Sequence, residues 1–103
     1  MMVQHLKISQ VILIFGMENN MKKREEMLVI TMEECGELIQ ACSKMIRFDE
    51  PCDTKQLQEE IGDVMCMIEI LRDGGLVSDK QIADRIKVKK EKLMKWSLLF
   101  SED

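Results

Sequence analysis

Apolar residues recur at steps of three and four between residues 27 and 48, which is the periodicity of one face of an α-helix. A stripe of this kind must be buried against another element, so it constrains the fold strongly. Pro51 ends the segment, because the residue before a proline disfavours the helical region. We predict a helix from about Met21 to Phe48, with Asn20 as its N-cap. The stripe contains Met27, Ile30, Leu38, Ala41, Met45 and Phe48, with the carboxylate of Glu34 in the position between Ile30 and Leu38.

A second helix is expected from about Thr54 to Asp73, capped by Asp53 or by Thr54 itself. From Ile61 onward this segment is apolar nearly all round, which is typical of a helix that is buried on several faces. Gly74-Gly75 supplies its stop, because glycine accepts the left-handed conformation at a helix C-terminus.

A third helix is expected from about Asp79 to Leu98, since residues 78–81 match the S-x-x-Q capping box. One of its faces is apolar and the other is rich in lysine and arginine. Trp96 lies on the apolar face, so we place it in the core or an interface, with base stacking as the less favoured alternative.

These three segments, joined by short connectors, predict an all-α fold, an antiparallel helical bundle. Ten methionines, one proline and no tyrosine among 103 residues also favour helices. The first helix would be about 40 Å long at roughly 1.5 Å per residue, more than one small chain covers. We therefore expect a homodimer or a dimer of dimers, in which dimerisation completes a four-helix core. Residues 1–20 are expected to be a peripheral N-terminal extension of a helical domain at 21–103.

Charge and cysteine content exclude several classes of partner. The net charge of −4 argues against a nucleic acid polymer as a binding partner, because a protein that contacts many phosphates needs a basic surface. The apolar segment at 11–15 is too short to span a membrane, so no membrane partner is expected. The four cysteines form no C-x-x-C pair and His5 is the only histidine, which predicts reduced thiols in a cytoplasmic protein and no zinc site.

Two acid pairs at spacing i, i+3 carry the chemistry: Glu34 with Glu37, and Glu60 with Asp63. This spacing places both carboxylates of a pair on one helix face, where like charges repel. A hard divalent cation such as magnesium relieves the repulsion, because it prefers carboxylate oxygens. Two pairs on facing helices would surround one cavity with four carboxylates. Gly36 and Gly62 lie inside the pairs, which suggests close approach of a helix or a ligand, with ordinary helix packing as the equal alternative.

The alternative to a metal site is a solvated acidic face, which is common on exposed helices. Two matching segments that both interrupt apolar stripes favour the metal site, because buried acids are usually paired or bound to metal. A di-iron site would need Glu-x-x-His on two helices, and His5 lies outside both segments, so this option is rejected.

The segments at 33–40 (EECGELIQ) and 59–64 (EEIGDV) resemble the EExxE, spacer, ExxD pattern of the MazG-like all-α nucleoside triphosphate pyrophosphatase superfamily. Residues 41–48 (ACSKMIRF) also resemble its small single-domain branch, and the likeness extends over about residues 25–98. The resemblance implies that the domain at 21–103 is catalytic. A metal-activated water would cleave a ribo- or deoxynucleoside triphosphate between its α- and β-phosphates, giving a nucleoside monophosphate and pyrophosphate.

The resemblance also implies roles for individual residues. The ligands of Mg²⁺, for which Mn²⁺ can substitute, would be Glu34, Glu37, Glu60 and Asp63. Glu33 would orient or deprotonate the attacking water. Together with Glu33, Glu37 would be a catalytic residue as well as a metal ligand.

Several further residues are candidates for substrate binding. Lys44 lies two helical turns after Glu37, on nearly the same face, and can contact a phosphate. Arg47 is a second candidate, for which a surface salt bridge is an equal alternative to substrate binding. Phe48 is a candidate for lining the base pocket. On the third helix the resemblance points to Lys89 and Lys92 as phosphate contacts, although many relatives place an asparagine and an arginine there, and a solvated face is the stronger alternative.

Two other functions remain open from the sequence. One is a non-catalytic helical oligomer that binds metal or nucleotide and acts through a partner. The other is a helical interaction module without a ligand. Retention of all four acids favours the hydrolase.

Overall fold

The computed structural model describes residues 22–48 and 54–101, and this part of the chain is helical without any strand. The all-α prediction is therefore confirmed, and each predicted helix begins and ends within two residues of the observed one. The predicted N-terminal extension, the Asn20 and Asp53 caps and the Pro51 stop lie outside the described residues. The elements are α1 (Lys23–Phe48), α2 (Thr54–Asp73), α3 (Asp79–Trp96) and a short 3-10 helix (Leu98–Phe100).

The chain divides into two compact units, one ending at Ile70 and the other beginning at Leu71. In the first unit, α1 and α2 run antiparallel. Carboxylate oxygens of Glu37 and Glu60 lie within 4.8 Å of each other. A parallel pair would then separate Phe48 from Thr54 by about 26 Å, given a rise of about 1.5 Å per residue. Six residue steps reach only about 22 Å, so the short connection allows the antiparallel arrangement alone.

The apolar stripe predicted on α1 is the face that α1 buries. Ala41 is 2% exposed and Glu34 is 5% exposed. The remaining described members of the stripe, at positions 27, 30, 38 and 45, are half-buried. The periodicity of the sequence therefore identified the packed face of α1 correctly, including the carboxylate within it.

The C-terminal end of α2 belongs to the second unit and terminates in a Schellman motif. The N–H of Gly75 donates to the carbonyl of Arg72 at 3.0 Å, and the N–H of Leu76 donates to that of Leu71 at 2.9 Å. Gly75 has a φ of +79°, a conformation that only glycine adopts readily. The predicted glycine stop is confirmed.

Serines cap both ends of α3, Ser78 through its side chain and Ser97 through its backbone N–H. Ser78 is extended, and its hydroxyl accepts a 3.1 Å hydrogen bond from the backbone N–H of Gln81, as the capping-box pattern predicts. At the other end, the N–H of Ser97 donates to the carbonyl of Leu93, and its hydroxyl accepts from the N–H of Leu99. Ser97 itself is extended, so α3 ends at Trp96 and not at Leu98 as predicted.

Many apolar side chains remain exposed in the single chain. Within one chain α2 is not buried on several faces, because Met65 is 58% exposed and Ile61 is 40% exposed; its burial in an oligomer stays a prediction. No residue of α3 is buried, and Trp96 is 73% exposed, so a core position for Trp96 is also wrong. Two paired helices bury one stripe each, which leaves the other apolar faces without cover.

The cysteines at positions 35, 42 and 66 are free thiols, as predicted, and all three are exposed. Cys52 lies outside the described residues. Within residues 22–48 and 54–101, no helix combines the length and the apolar character needed to cross a membrane.

Candidate metal centre

Four carboxylates from α1 and α2 meet in the first unit. One oxygen from each of Glu34, Glu37, Glu60 and Asp63 lies within 4.8 Å of the other three. Each helix contributes two acids one turn apart, and the antiparallel pairing brings the two pairs face to face. The structure therefore assembles the set of four residues that the two sequence segments predicted as one group.

Burial falls steadily across this group. Glu34 is buried, Glu37 and Glu60 are half-buried, and Asp63 is exposed. One carboxylate oxygen of Glu34 and one of Glu60 are fully shielded from solvent. The cluster thus has a closed side at Glu34 and an open side at Asp63, as a site that receives a ligand from solvent requires.

Electrostatics make this arrangement costly for the protein alone. Two ionised carboxylates 4.8 Å apart repel by about 3.5 kcal/mol at an effective dielectric constant of about 20. Six such pairs exist among four acids, so a positive charge between them would lower the energy of the folded state considerably. Helix packing forces the group together, because Glu34 lies on the same buried stripe as Ala41.

The chemistry of the donor set fits a hard divalent cation. All four potential ligands are carboxylate oxygens, which magnesium, manganese and calcium prefer. Zinc sites usually contain histidine or cysteine, and this cluster contains neither. The residues present can therefore hold a divalent cation of the magnesium type.

Gly36 and Gly62 do not mark a close contact within the single chain. A Cβ atom added at either position would meet nothing within 4 Å. The suggestion that a helix or ligand approaches closely at these glycines is therefore not supported for one chain, in which both positions face open space.

The other predicted site residues lie outside the four-oxygen group. Glu33 is half-buried and precedes Glu34 on α1, whereas Lys44 and Arg47 are exposed further along the same helix. Phe48 is the last residue of α1, and its side chain is outside the described part. Lys89 and Lys92 are exposed on α3, in the second unit. The roles assigned to these residues stay predictions.

A small cavity of about 170 Å³, largely open to solvent, adjoins the carboxylates. Sequence reasoning missed this cavity, although a signal was present: Ile30 is four residues before Glu34, and Met67 is four residues after Asp63. Antiparallel pairing brings these two apolar positions to the same side of the acids. The described residues that line the cavity are Ile30, Glu34, Asp63, Cys66 and Met67.

Comparison with protein-family models identified the MazG nucleotide pyrophosphohydrolase domain, which matches residues 22–95. The match spans most of the chain and includes all four clustered acids. The chain belongs to this family. No curated protein and no solved structure matched the chain. Membership in the MazG family confirms the resemblance noted from the two acidic segments, and it gives the carboxylate cluster a chemical context in nucleotide pyrophosphate hydrolysis.

Proposed function

We propose that the protein is a Mg²⁺-dependent pyrophosphohydrolase that converts nucleoside triphosphates to nucleoside monophosphates and pyrophosphate. The observation that carries the proposal is the cluster of four carboxylate oxygens within 4.8 Å, in a chain that belongs to the MazG family. Neither a solvated acidic face nor a plain interaction module accounts for a carboxylate such as Glu34 at 5% exposure among three others.

The four clustered acids would hold the cation, with Mn²⁺ as a substitute. A bound divalent cation would supply charge neutralisation and polarisation of the phosphates, and it would lower the pKa of coordinated water. Glu34, on the closed side, would fix the position of the site. Asp63, on the open side, would leave room for the triphosphate to approach from solvent.

Hydrolysis breaks the bridging P–O bond between the α- and β-phosphorus atoms. The oxygen of water forms a new bond to phosphorus, and a proton of that water must go to a base. Glu33 is our candidate for this base, because it is half-buried and lies four residues before Glu37, on nearly the same helix face. Glu37 would bind the cation and, together with Glu33, would position the reacting groups.

Cationic side chains would then grip the triphosphate. Lys44 projects two turns beyond Glu37 on nearly the same face of α1, about 10 Å along the helix axis. Arg47 lies further along the same helix, and Lys89 and Lys92 on α3 complete the set of candidate phosphate contacts. Phe48 remains the candidate for the base.

We further propose a homodimer, or a dimer of dimers, built on α1. A second apolar seam runs along this helix with steps of 4, 3, 4, 3 and 4, the heptad pattern of helices that pair. Ile39 is 68% exposed and Ile46 is 81% exposed, so the seam is available to a second copy of the chain. Pairing would complete the four-helix core expected from the sequence. The seam consists of Leu28, Met32, Cys35, Ile39, Cys42 and Ile46.

A cytoplasmic location also belongs to this proposal. The thiols of Cys35, Cys42 and Cys66 are free and exposed, which supports a reducing compartment. An oxidising compartment would tend to join exposed thiols of neighbouring copies.

The test is pyrophosphate release by the purified protein with magnesium, across ribo- and deoxynucleoside triphosphates. Glu37→Gln should lower kcat at least a hundredfold, because it removes a ligand and a charge from the cluster. Glu69→Gln makes the same exchange at an exposed position of α2 outside the cluster, and it should keep wild-type activity.

Two outcomes would replace the proposal. If no triphosphate is hydrolysed while magnesium still raises the melting temperature, the protein is a non-catalytic binder that acts through a partner. If magnesium has no effect on stability either, the protein is a helical interaction module, since any ligand that binds the folded state stabilises it.

A further inference from the structure

The C-terminal end of the second unit presents a cluster of large apolar side chains to solvent. Leu98 is 88% exposed, and Trp96 and Leu99 are each 73% exposed. Hydrogen bonds fix the backbone here: the hydroxyl of Ser97 accepts from the N–H of Leu99, and the N–H of Ser101 donates to the carbonyl of Leu98. Exposed apolar side chains grouped in this way mark a surface that contacts a protein or a membrane. We call the cluster the apolar turn, and it consists of Trp96, Leu98, Leu99 and Phe100.

Positive charge is concentrated on the helix that leads into the apolar turn. Residues 85–103 contain six cationic and three acidic side chains, a net charge of +3, whereas the whole chain has a net charge of −4. Residues 1–84 therefore have a net charge of −7. Such a division of charge along a chain is typical of proteins that bind a polyanionic surface. The six cations, all of them exposed, are Arg85, Lys87, Lys89, Lys90, Lys92 and Lys95.

The faces of α3 also differ in charge. Ile86, Lys89 and Trp96 share one face, because steps of three and seven residues are close to whole helical turns. Asp84 and Glu91 lie on the opposite face, where Asp84 accepts a hydrogen bond of 2.9 Å from the ammonium group of a lysine one turn earlier. Beyond its first turn, α3 has no acid on the apolar face. Apolar and cationic side chains therefore point to the same side of this helix.

A lipid surface fits this combination better than a protein or a nucleic acid does. Five of the six cations are lysines, which protein interfaces disfavour. The side chains of Leu98 and Leu99 cannot stack on bases, which is how proteins hold single-stranded nucleic acids. A cationic helix beside tryptophan, leucine and phenylalanine is the composition that binds in the headgroup region of an anionic bilayer. The segment at 11–15 is too short for a membrane span, and a helix bound to the surface needs none.

We propose that α3 and the apolar turn bind the surface of an anionic lipid membrane. The apolar turn inserts among the headgroups, and the lysines of α3 lie against the lipid phosphates. This binding does not depend on the hydrolase reaction, so either can fail without the other. Lys89 and Lys92 are also candidate contacts for the triphosphate, and the test therefore changes neither of them.

The experiment measures partitioning of the purified protein onto two kinds of vesicle at low ionic strength. One kind is phosphatidylcholine alone, and the other is two parts phosphatidylcholine to one part phosphatidylglycerol. We expect at least tenfold stronger binding to the anionic vesicles, and loss of most of this binding in salt of about 0.5 M, because salt screens the attraction. Equal binding to both vesicles, or binding to neither, overturns the proposal.

A charge reversal on α3 locates the binding surface. Lys90 lies beside the apolar face, and Lys90→Glu should weaken binding to the anionic vesicles at least fivefold. Lys55→Glu, at an exposed position of α2, changes the net charge of the protein equally and should leave binding unchanged. An equal loss in both variants would show that only net charge matters, which contradicts a docking surface on α3.

Trp96 provides an independent readout, because it is the only tryptophan of the chain. Its fluorescence emission should shift to shorter wavelength when anionic vesicles are added, since the indole ring leaves water. Unchanged emission overturns insertion of the apolar turn even when the protein binds. A shift that grows with protein concentration in the absence of lipid assigns the apolar turn to contact between copies of the chain, and it also overturns the proposal.

Discussion

Neutralising the most buried acid of the cluster should have opposite effects on stability with and without magnesium. In Glu34→Gln, three carboxylate pairs within 4.8 Å lose their repulsion. Each pair repels by about 0.9 kcal/mol at the dielectric constant of water. At an effective dielectric constant of about 20, the repulsion is about 3.5 kcal/mol. The buried amide introduced by the substitution has its own hydrogen-bonding cost of about 1–3 kcal/mol. The three repulsions sum to about 2.6–10 kcal/mol over this range of dielectric constant, which exceeds the cost of the amide over nearly all of it, so we expect the metal-free variant to be more stable than wild type.

Magnesium should reverse this order. At a concentration one hundred times its Kd, a ligand stabilises the folded protein by about 2.7 kcal/mol. Each tenfold loss of affinity in the variant removes about 1.4 kcal/mol of this gain. Since the variant loses one of the four proposed ligands and its charge, wild type should show the larger rise in melting temperature with magnesium.

The assay is thermal unfolding followed by circular dichroism, in EDTA and in magnesium, at one protein concentration and one ionic strength. For a domain of this size, 1 kcal/mol corresponds to about 4–8 °C in Tm. Glu34→Gln should melt above wild type in EDTA and show the smaller magnesium shift. Glu69→Gln, at an exposed position of α2, should follow wild type in both. Equal magnesium shifts in all three proteins, or a lower Tm for Glu34→Gln in EDTA, would contradict a repulsive cluster that magnesium neutralises.

Three further predictions concern the scaffold, each measured by urea unfolding in magnesium. Ala41→Leu should cost about 1–3 kcal/mol, because Ala41 is 2% exposed and the added atoms have no room; no loss would show that the α1–α2 contact is loose. Gly75→Ala should lower the free energy of unfolding by about 1 kcal/mol or more, because the φ of Gly75 is +79°. Gly62→Ala should instead raise the free energy of unfolding, by about 1 kcal/mol at most, because Gly62 lies in a helix with open space at the Cβ position. A loss at Gly62 would instead indicate that a second copy packs there. Ser78→Ala should cost about 1 kcal/mol by removing the hydrogen bond to the N–H of Gln81, and an unchanged midpoint would show that α3 does not depend on this cap.

The helices and the carboxylate cluster were predictable because both depend on local spacing. The caps at Ser78 and Gly75 follow from backbone chemistry that is legible in a few residues. The meeting of Glu34 with Asp63 required one more fact, the antiparallel pairing of α1 and α2, which the short connection dictates. In these respects the sequence contained enough to place all four acids in one group.

Exposure and cavities were not predictable in the same way. The periodicity that marks the buried stripe of α1 does not say whether a second stripe, through Ile39 and Ile46, is covered. Whether an apolar residue is buried depends on every neighbouring surface, including surfaces of other copies, so burial of α2 on several faces stays a prediction for the oligomer. The cavity at Ile30 and Met67 depends on how two side chains fit across a helix pair, which spacing alone does not determine.

In the proposed function the carboxylate cluster directs cleavage between the α- and β-phosphates. ³¹P NMR of a deoxynucleoside triphosphate incubated with the protein and magnesium tests this claim most directly. We expect a nucleoside monophosphate and pyrophosphate to form in equal amounts, and EDTA to stop the reaction. Formation of a nucleoside diphosphate and orthophosphate, or an unchanged triphosphate, would contradict it.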